Sequence, residues 1–335
     1  MASREELLRH AIDSNIILRW HWWRWHFEHY ECLKTLRTYD GYFGTQFVED
    51  LIEALLLVDS QEVGFAIKAL DKIAAISGRE RDQRDYDQLL QILAELHIQR
   101  QVCSFCWPTG TVFEFEPHSS ASGKNPEMTI RTQLAYAGLE VKCPELTAYA
   151  GSRADHDVQA PSRALELTHL QDTFDTVQLP KDNPVKDFLI SANAKFEGFK
   201  TDDRLFYGVL VIFWDDFIQE PVTALMHPAA GLLTANSFHS VDDQAVRYPY
   251  IDAIVLVRHL LQFRKSLEDR PFADNCRSTF DYGTQATFPP KVVIRVSKRP
   301  MPNEIAECLQ VVDISEVNMY ADYRPQDLII WLSSP

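Results

Sequence analysis

The chain has 335 residues, which is enough for one elaborated domain or two smaller ones and too long for a small disulfide-stapled scaffold. Hydrophobic residues make up 46% and charged residues 24% of the chain, as is ordinary for a soluble globular protein. The formal net charge of −15 argues against strong non-specific binding to nucleic acid, because phosphate contacts rely on lysine and arginine.

The sequence carries no membrane or secretion signal. No uninterrupted apolar run reaches the roughly 18 to 20 residues of a membrane span, and the opening MASREELLRH lacks a secretory apolar region. The six cysteines are irregularly spaced, which favours reduced thiols, and the pair Cys103 and Cys106 has no second pair with which to form a zinc site. We therefore expect a cytoplasmic protein.

The N-terminal part of the chain is expected to be helical. From Glu5 to about Arg100, apolar residues recur at three- and four-residue spacing, which predicts three or four helices. Within this stretch lies a tryptophan-rich segment, formed by Trp20, Trp22, Trp23 and Trp25. These rings could fill a core, contact a partner protein or a second copy of the chain, or stack on nucleic-acid bases. We favour the core or an interface.

Strands follow after Val102. Val112 to Glu116 alternates between two faces, Glu127 to Arg131 is extended, and Tyr136 to Cys143 forms a third strand. Three consecutive short strands predict an antiparallel meander.

A polar, loop-like region separates the meander from more buried elements. The sequence predicts a helix from Pro184, with Asn183 as its cap, to Gly198. Leu205 to Trp214 is too apolar for anything but a strand buried on both faces, and Ile251 to Val257 predicts another.

The chemistry is expected at Glu140-Val141-Lys142. Alternation places Glu140 and Lys142 on one face of the strand, where a carboxylate could hold a divalent ion and an ammonium could orient water. A chain with 48 acidic residues and 12 lysines should contain about one or two such triplets by chance. The position of this triplet therefore matters more than its composition.

That position is informative because the preceding strand supplies a second carboxylate. If the two strands form a hairpin with its tip near Gln133 and Leu134, Glu127 lies opposite Glu140. Directly opposed residues have Cβ atoms roughly 4.5–5.5 Å apart, and two carboxylates at that distance can share Mg²⁺. A slip of one residue would put them on opposite faces of the sheet.

In their order along the chain, these features resemble the PD-(D/E)xK nuclease superfamily. The matching segments are LAEL with Glu95, VFEFEP with Glu116, GKNPE with Glu127, and LEVKCP with Glu140 and Lys142. The resemblance implies an α/β fold with a restriction-endonuclease-like αβββαβ core and a central mixed sheet. This core would span residues 86–265, after a helical N-terminal region at 1–85 and before a C-terminal extension at 266–335 that packs on it.

The resemblance also implies a reaction, the Mg²⁺- or Mn²⁺-dependent hydrolysis of phosphodiester bonds in DNA, or less favoured RNA, as in restriction, repair and defence nucleases. Glu127, Glu140 and the carbonyl of Val141 would hold the ion, Lys142 would assist the attacking water, and Glu95 would support these ligands from behind. Glu127 departs from the pattern, since the family more often has Asp there. A homodimer is expected if both strands of a duplex are cut.

Secondary candidates are Glu116, which could simply close its strand, and three residues on the helix after the motif, Lys186, Asn193 and Lys195. In relatives this helix often contacts substrate, but a plain amphipathic helix explains these residues nearly as well.

The triplet Asp155-His156-Asp157 could bind a metal, although a solvated loop is the simpler interpretation. Sequences for nucleotide-binding or hydrolase loops of the types GxxxxGK[ST], GxGxxG and GxSxG are missing. Two alternatives stay open: a catalytically degenerate relative that acts as a protein- or nucleic-acid-binding module, and a structural protein whose motif is accidental.

Overall fold

The computed structural model describes residues 1–26, 44–76, 82–119, 124–145, 151, 153–156, 158–160, 172–174, 176–178, 184–268, 270–272, 276–281 and 291–330. The chain forms two compact units. The first unit comprises Met1–Thr109 and His259–Pro290, and the second unit comprises Gly110–Arg258 and Lys291–Pro335. The expected division at residues 85/86 and 265/266 is a different partition of the chain, and it stays a prediction.

The described residues form ten α-helices and twelve short or long strands. The helices are α1 (Arg4–Asp13), α2 (Ile16–Arg19), α3 (His21–Trp25), α4 (Gly44–Asp59), α5 (Phe65–Ala75), α6 (Gln83–Ser104), α7 (Val185–Asp202), α8 (Gln219–Met226), α9 (Leu260–Leu267) and α10 (Asn303–Leu309). The strands are β1 (Val112–Phe115), β2 (Met128–Arg131), β3 (Tyr136–Lys142), β4 (Val158–Gln159), β5 (Val177–Gln178), β6 (Phe206–Trp214), β7 (Ser240–Val241), β8 (Gln244–Ala245), β9 (Ala253–Arg258), β10 (Lys291–Arg295), β11 (Val312–Asp313) and β12 (Ile329–Ile330). Within the described ranges, no helix combines the length and the apolar character that crossing a membrane requires.

The first unit is helical, as its spacing of apolar residues predicts. Helix α1 begins at a capping box, in which Ser3 Oγ accepts a hydrogen bond from the Glu6 amide and the Glu6 carboxylate accepts one from the Ser3 amide. Helix α6 begins in a similar way, because the Asp82 side chain accepts a hydrogen bond from the Arg84 amide.

The tryptophan-rich segment lies in the core of the first unit. The exposed fractions of Trp20, Trp22 and Trp23 are 1%, 0% and 0%, and the Trp22 ring packs edge-on against Phe47 with the ring centroids 4.6 Å apart. This burial agrees with the core interpretation and leaves these three rings unable to stack on bases. The side chain of Trp25 lies outside the described residues, and a partner contact through this segment stays a prediction.

The second unit is built on a seven-stranded mixed sheet with the strand order β1-β2-β3-β6-β9-β10-β11. Strands β1, β2 and β3 form the expected antiparallel meander. Strands β3, β6 and β9 run parallel to one another, and β10 returns antiparallel to β9. The expected α/β class with a central mixed sheet is therefore confirmed. From α6 to β6 the described elements run α6-β1-β2-β3-β4-β5-α7-β6, so two short strands of a separate sheet, β4 and β5, interrupt the expected order αβββαβ.

Strand β6 lies in the middle of this sheet, and all nine of its residues are buried, as its continuous apolar sequence predicts. Phe206, at its start, packs against Phe196 and Phe199 of α7, with ring centroids 5.7 and 5.4 Å apart. Gly208 of β6 lies so close to Phe196 and Tyr250 that it leaves no room for a side chain. A Cβ atom there would lie 2.5 Å from the carbonyl oxygen of Tyr250 and 2.7 Å from Cδ2 of Phe196.

We expect Gly208→Ala to lower the free energy of unfolding by about 1–3 kcal/mol, because a backbone carbonyl cannot swing away from the added methyl group. Urea unfolding followed by circular dichroism measures this change. Gly151→Ala is the matched control, since a Cβ atom there meets nothing within 4 Å. Equal losses in the two variants would contradict the close approach at Gly208.

Candidate functional site

The hairpin of β2 and β3 sets the geometry of the site. Met128 pairs with Leu139 and Ile130 pairs with Ala137, so the register continued by one residue places Glu127 opposite Glu140. The Glu127 amide donates a hydrogen bond to the Leu139 carbonyl at 3.0 Å, which extends the pairing beyond the end of β2. The register expected from the sequence is therefore confirmed.

Glu140 is fully buried. Its strand lies between β2 and β6, and α7 packs against both β3 and β6, so its side chain has an exposed fraction of 0%. Removing an ionised carboxylate from water costs several kcal/mol unless other charges and hydrogen bonds compensate. Such a residue within an otherwise apolar strand requires positive charge nearby.

Two lysines supply that charge. Lys142 Nζ lies 2.8 Å from Glu140 Oε1. Lys195 Nζ, which reaches down from α7, lies 2.7 Å from Oε1 and 2.9 Å from Oε2 of the same carboxylate, and 3.5 Å from Glu127 Oε1. Two carboxylates and two ammonium groups thus form a cluster with a formal charge of zero. We call Glu127, Glu140, Lys142 and Lys195 the charge cluster.

The two oxygens of Glu140 differ in their bonding. Oε2 accepts a hydrogen bond from Lys195 Nζ. Oε1 is close to both ammonium groups, yet among the described residues none donates to it with hydrogen-bond geometry. Oε1 is thus held by the charges of two ammonium groups, at 2.7 and 2.8 Å, and not by a directed donor.

The cluster raises the pKa of Lys195 above its ordinary value. Burial acts in the opposite direction and is the largest single effect, but the negative charge of Glu140, its hydrogen bond, and the negative charge of Glu127 together outweigh it. Lys195 is therefore a cation at neutral pH.

The oxygen donors of the cluster are of the kind that Mg²⁺ prefers. Among the described residues, no group of three or more His, Cys, Asp and Glu side chains could hold a metal ion together. Mg²⁺ needs fewer, since it commonly binds one or two protein carboxylates and keeps several waters. The opposed carboxylates of Glu127 and Glu140 meet this smaller requirement.

Two further predicted residues are not among the four of the charge cluster. Glu116 directly follows β1, with an exposed side chain and a left-handed backbone (φ 46°), and its amide donates a hydrogen bond to the Glu127 carbonyl at 2.9 Å. Its main chain, therefore, adjoins the acid pair. Glu95 is a half-buried residue of α6 in the first unit, whereas the charge cluster belongs to the second unit.

The three polar residues expected on α7 separate in the structure. Lys195 joins the carboxylates, but Asn193 Oδ1 accepts a hydrogen bond from the Tyr250 amide at 3.0 Å, and Lys186 Nζ lies 3.6 Å from Asp187. With 3.6 residues per turn, Asn193 and Lys195 point about 200° apart around the helix. Their proposed roles in contacting substrate stay predictions.

A signal for Lys195 is present in the sequence. Lys195 follows the buried Ala192 by three positions and precedes the buried Phe199 by four, so it lies on the buried face of α7. Lysine is almost never buried unless it is paired. A lysine in the apolar stripe of a helix therefore predicts a carboxylate on the element packed against it.

The weaker metal candidates add nothing to this site. Asp157 lies outside the described residues, so the triplet around His156 stays untested. Burial raises the pKa of Cys103 to about 12, as in an unreactive structural thiol.

When the chain is compared with models of known protein families, with curated proteins and with solved structures, none of the three comparisons gives a match.

A double-mutant cycle measures the coupling within the charge cluster. We expect Glu140→Gln and Lys195→Gln each to destabilise the fold, and the double variant to lose less than the two single losses combined. The difference should be about 1–3 kcal/mol, as for residues in direct contact. Chemical unfolding measures it.

The exposed Lys298 supplies the control for this cycle. Glu140→Gln and Lys298→Gln should be additive within about 0.5 kcal/mol. If the losses of unfolding free energy in Glu140→Gln and Lys195→Gln were additive as well, they would contradict a contact between these two side chains.

Proposed function

We propose that this protein is a Mg²⁺-dependent nuclease that hydrolyses phosphodiester bonds of DNA, or less favoured RNA. The observation that carries the proposal is the charge cluster, in which Glu127 and Glu140 are opposed across a hairpin and two lysines adjoin the buried carboxylate. Paired carboxylates and an adjacent ammonium are what metal-assisted attack of water on a phosphodiester requires.

The surrounding fold supports the proposal. Glu127 and Glu140 lie at the second and third strands of a meander, and the helix α7 and the central parallel strand β6 come later in the chain. A restriction-endonuclease-like core is part of the proposal, because the acid-x-Lys strand, α7 and β6 occur in the order of that core, with the short strands β4 and β5 inserted before α7.

Three residues of the cluster have a proposed catalytic role. Glu127, Glu140 and the carbonyl of Val141 would hold Mg²⁺ or Mn²⁺, which supplies a Lewis acid and lowers the pKa of bound water. Lys142, with 22% of its side chain exposed, is in a position to orient the attacking water and to offset negative charge that develops on the phosphate. Glu116 would fix the main chain of Glu127, and the supporting role expected of Glu95 from the sequence stays a prediction.

The charge of the chain limits how a substrate could bind. Residues 101–240 contain 10 basic and 18 acidic side chains, a net charge of −8. Broad attraction to phosphate is therefore weak, and binding would depend on a local basic surface and on the metal ion. We include in the proposal a homodimer, a cytoplasmic location and a role in restriction, repair or defence.

One observation favours a second candidate function. The two lysines already neutralise both carboxylates, so the cluster is electrostatically complete without a metal ion. In that case the protein would be a catalytically degenerate nuclease-fold module that binds protein or nucleic acid, and the cluster would serve stability only.

The nuclease proposal predicts cleavage of plasmid or linear duplex DNA in the presence of Mg²⁺ and loss of cleavage with a chelator. Glu127→Gln, Glu140→Gln and Lys142→Gln should each lower the cleavage rate by about 100-fold or more, as for the loss of a group that stabilises developing charge. A gel assay of product formation measures the rate.

Glu114→Gln is the matched control, because Glu114 is an exposed carboxylate on the neighbouring strand β1. It should retain the wild-type rate. Undiminished cleavage by Glu140→Gln and Lys142→Gln would show that this site is not the nuclease site. Binding of neither Mg²⁺ nor Mn²⁺ to the wild-type protein would favour the binding module.

A further inference from the structure

We propose that Lys195 is an internal competitor of the divalent ion: its ammonium group occupies the place between Glu127 and Glu140 in the ion-free protein and leaves it when the ion binds. This inference rests on the proposed function and concerns the regulation of the same site.

The contacts of Lys195 support this assignment first. Its Nζ lies 2.7 and 2.9 Å from the two oxygens of Glu140 and 3.5 Å from Glu127 Oε1. One cation thus spans the two carboxylates that would hold the ion. An ammonium group prefers the same carboxylate oxygens as Mg²⁺, and it provides charge where no ion is bound.

The two cations cannot occupy this place together. Mg²⁺ binds oxygen at roughly 2.0–2.1 Å, so an ion on these carboxylates would lie within about 4 Å of an unmoved ammonium group. The ion and the ammonium group, both positive, would then repel each other strongly in a largely desolvated site. Because Lys195 Nζ contacts both carboxylates, entry of an ion between them requires this ammonium group to move.

The bonding of Glu140 points independently to a ligand. Oε1 is buried, and among the described residues none donates a hydrogen bond to it. The two lysines therefore meet Oε1 as charges at 2.7 and 2.8 Å and not as directed donors. A metal ion would replace this contact with direct coordination of the oxygen.

Lys195 is also built to move. Its side chain is 21% exposed, and the lysine stem has four rotatable carbons. The stem begins on the buried face of α7 next to Phe196, which keeps the ammonium group near the site after it leaves the carboxylates. There it can meet an anionic group of the substrate.

Displacement of Lys195 by a divalent ion changes the net charge of the site. The ion-free cluster has a formal charge of zero, whereas Glu127, Glu140, Lys142 and a divalent ion, with Lys195 displaced, have a summed charge of +1. A phosphate group is therefore attracted mainly to the loaded site, and by linkage the substrate tightens the binding of the ion. Lys195 would in this way keep the site closed to phosphate until the ion is present.

The test is the affinity for Mn²⁺ alone, measured by isothermal titration on the full chain. Lys195→Gln should bind Mn²⁺ at least tenfold more tightly than the wild-type protein, because the competing cation is gone. Lys195→Met, which retains an apolar stem, should do the same, and circular dichroism checks that both variants are folded. Lys195→Arg retains the charge and should bind as weakly as the wild type.

Lys298→Gln controls for the loss of a positive charge elsewhere and should leave the affinity unchanged. Wild-type affinity in Lys195→Gln and Lys195→Met, or no binding of Mn²⁺ to any variant, would overturn the inference.

The failure of the nuclease proposal can be distinguished from the failure of the inference about Lys195. Tighter binding by Lys195→Gln without any cleavage by the wild-type protein would leave the exchange standing and remove the nuclease. Cleavage by the wild-type protein, together with unchanged Mn²⁺ affinity in Lys195→Gln and Lys195→Met, would leave the nuclease standing and remove the exchange.

Discussion

The burial of the Glu140 carboxylate is the constraint on which the second unit depends. The residue lies on an internal strand, without contact to water, in a sheet whose other central residues are apolar. Its charge can be held there only if cations are brought to it. Lys142 comes from the same strand two positions later, but Lys195 must come from α7, so the helix is fixed in position and rotation over the sheet.

The same interaction links stability and chemistry. A buried ion pair is a weak source of net stability, since the cost of removing its charges from water offsets much of their attraction. Proteins retain such pairs where another property depends on them, and perturbed charges are frequent at functional sites. The two candidate functions of this chain differ in whether the cluster exists for its own neutrality or as the ion-free state of a metal site.

Much of this arrangement follows from local patterns in the sequence. Alternation on β3 and the symmetry of the hairpin about its tip predict the opposition of Glu127 and Glu140, because a slip of one residue would turn the apolar residues to the opposite face of the sheet. The apolar run of β6 likewise predicts its central place in the sheet.

The rotation of α7 is present in the sequence only through its apolar stripe, in which Lys195 lies between Ala192 and Phe199. Lys186, Asn193 and Lys195 are equally polar, and which of them meets β3 depends on the tertiary packing of Phe196 and Phe199 against Phe206. The seven-residue spacing of Lys186 and Asn193 draws attention to a different face of the helix. Lys195 lies instead within the apolar stripe of α7, where its charge requires a carboxylate from another element, Glu140 of β3.

The most direct test of a metal site at Glu127 and Glu140 is the anomalous diffraction of crystals grown with Mn²⁺. We predict an anomalous peak within roughly 2–2.5 Å of an oxygen of each carboxylate, with Lys195 Nζ no longer in contact with Glu140. An ordered site without such a peak, in which Lys195 still bridges both carboxylates at saturating Mn²⁺, would contradict it.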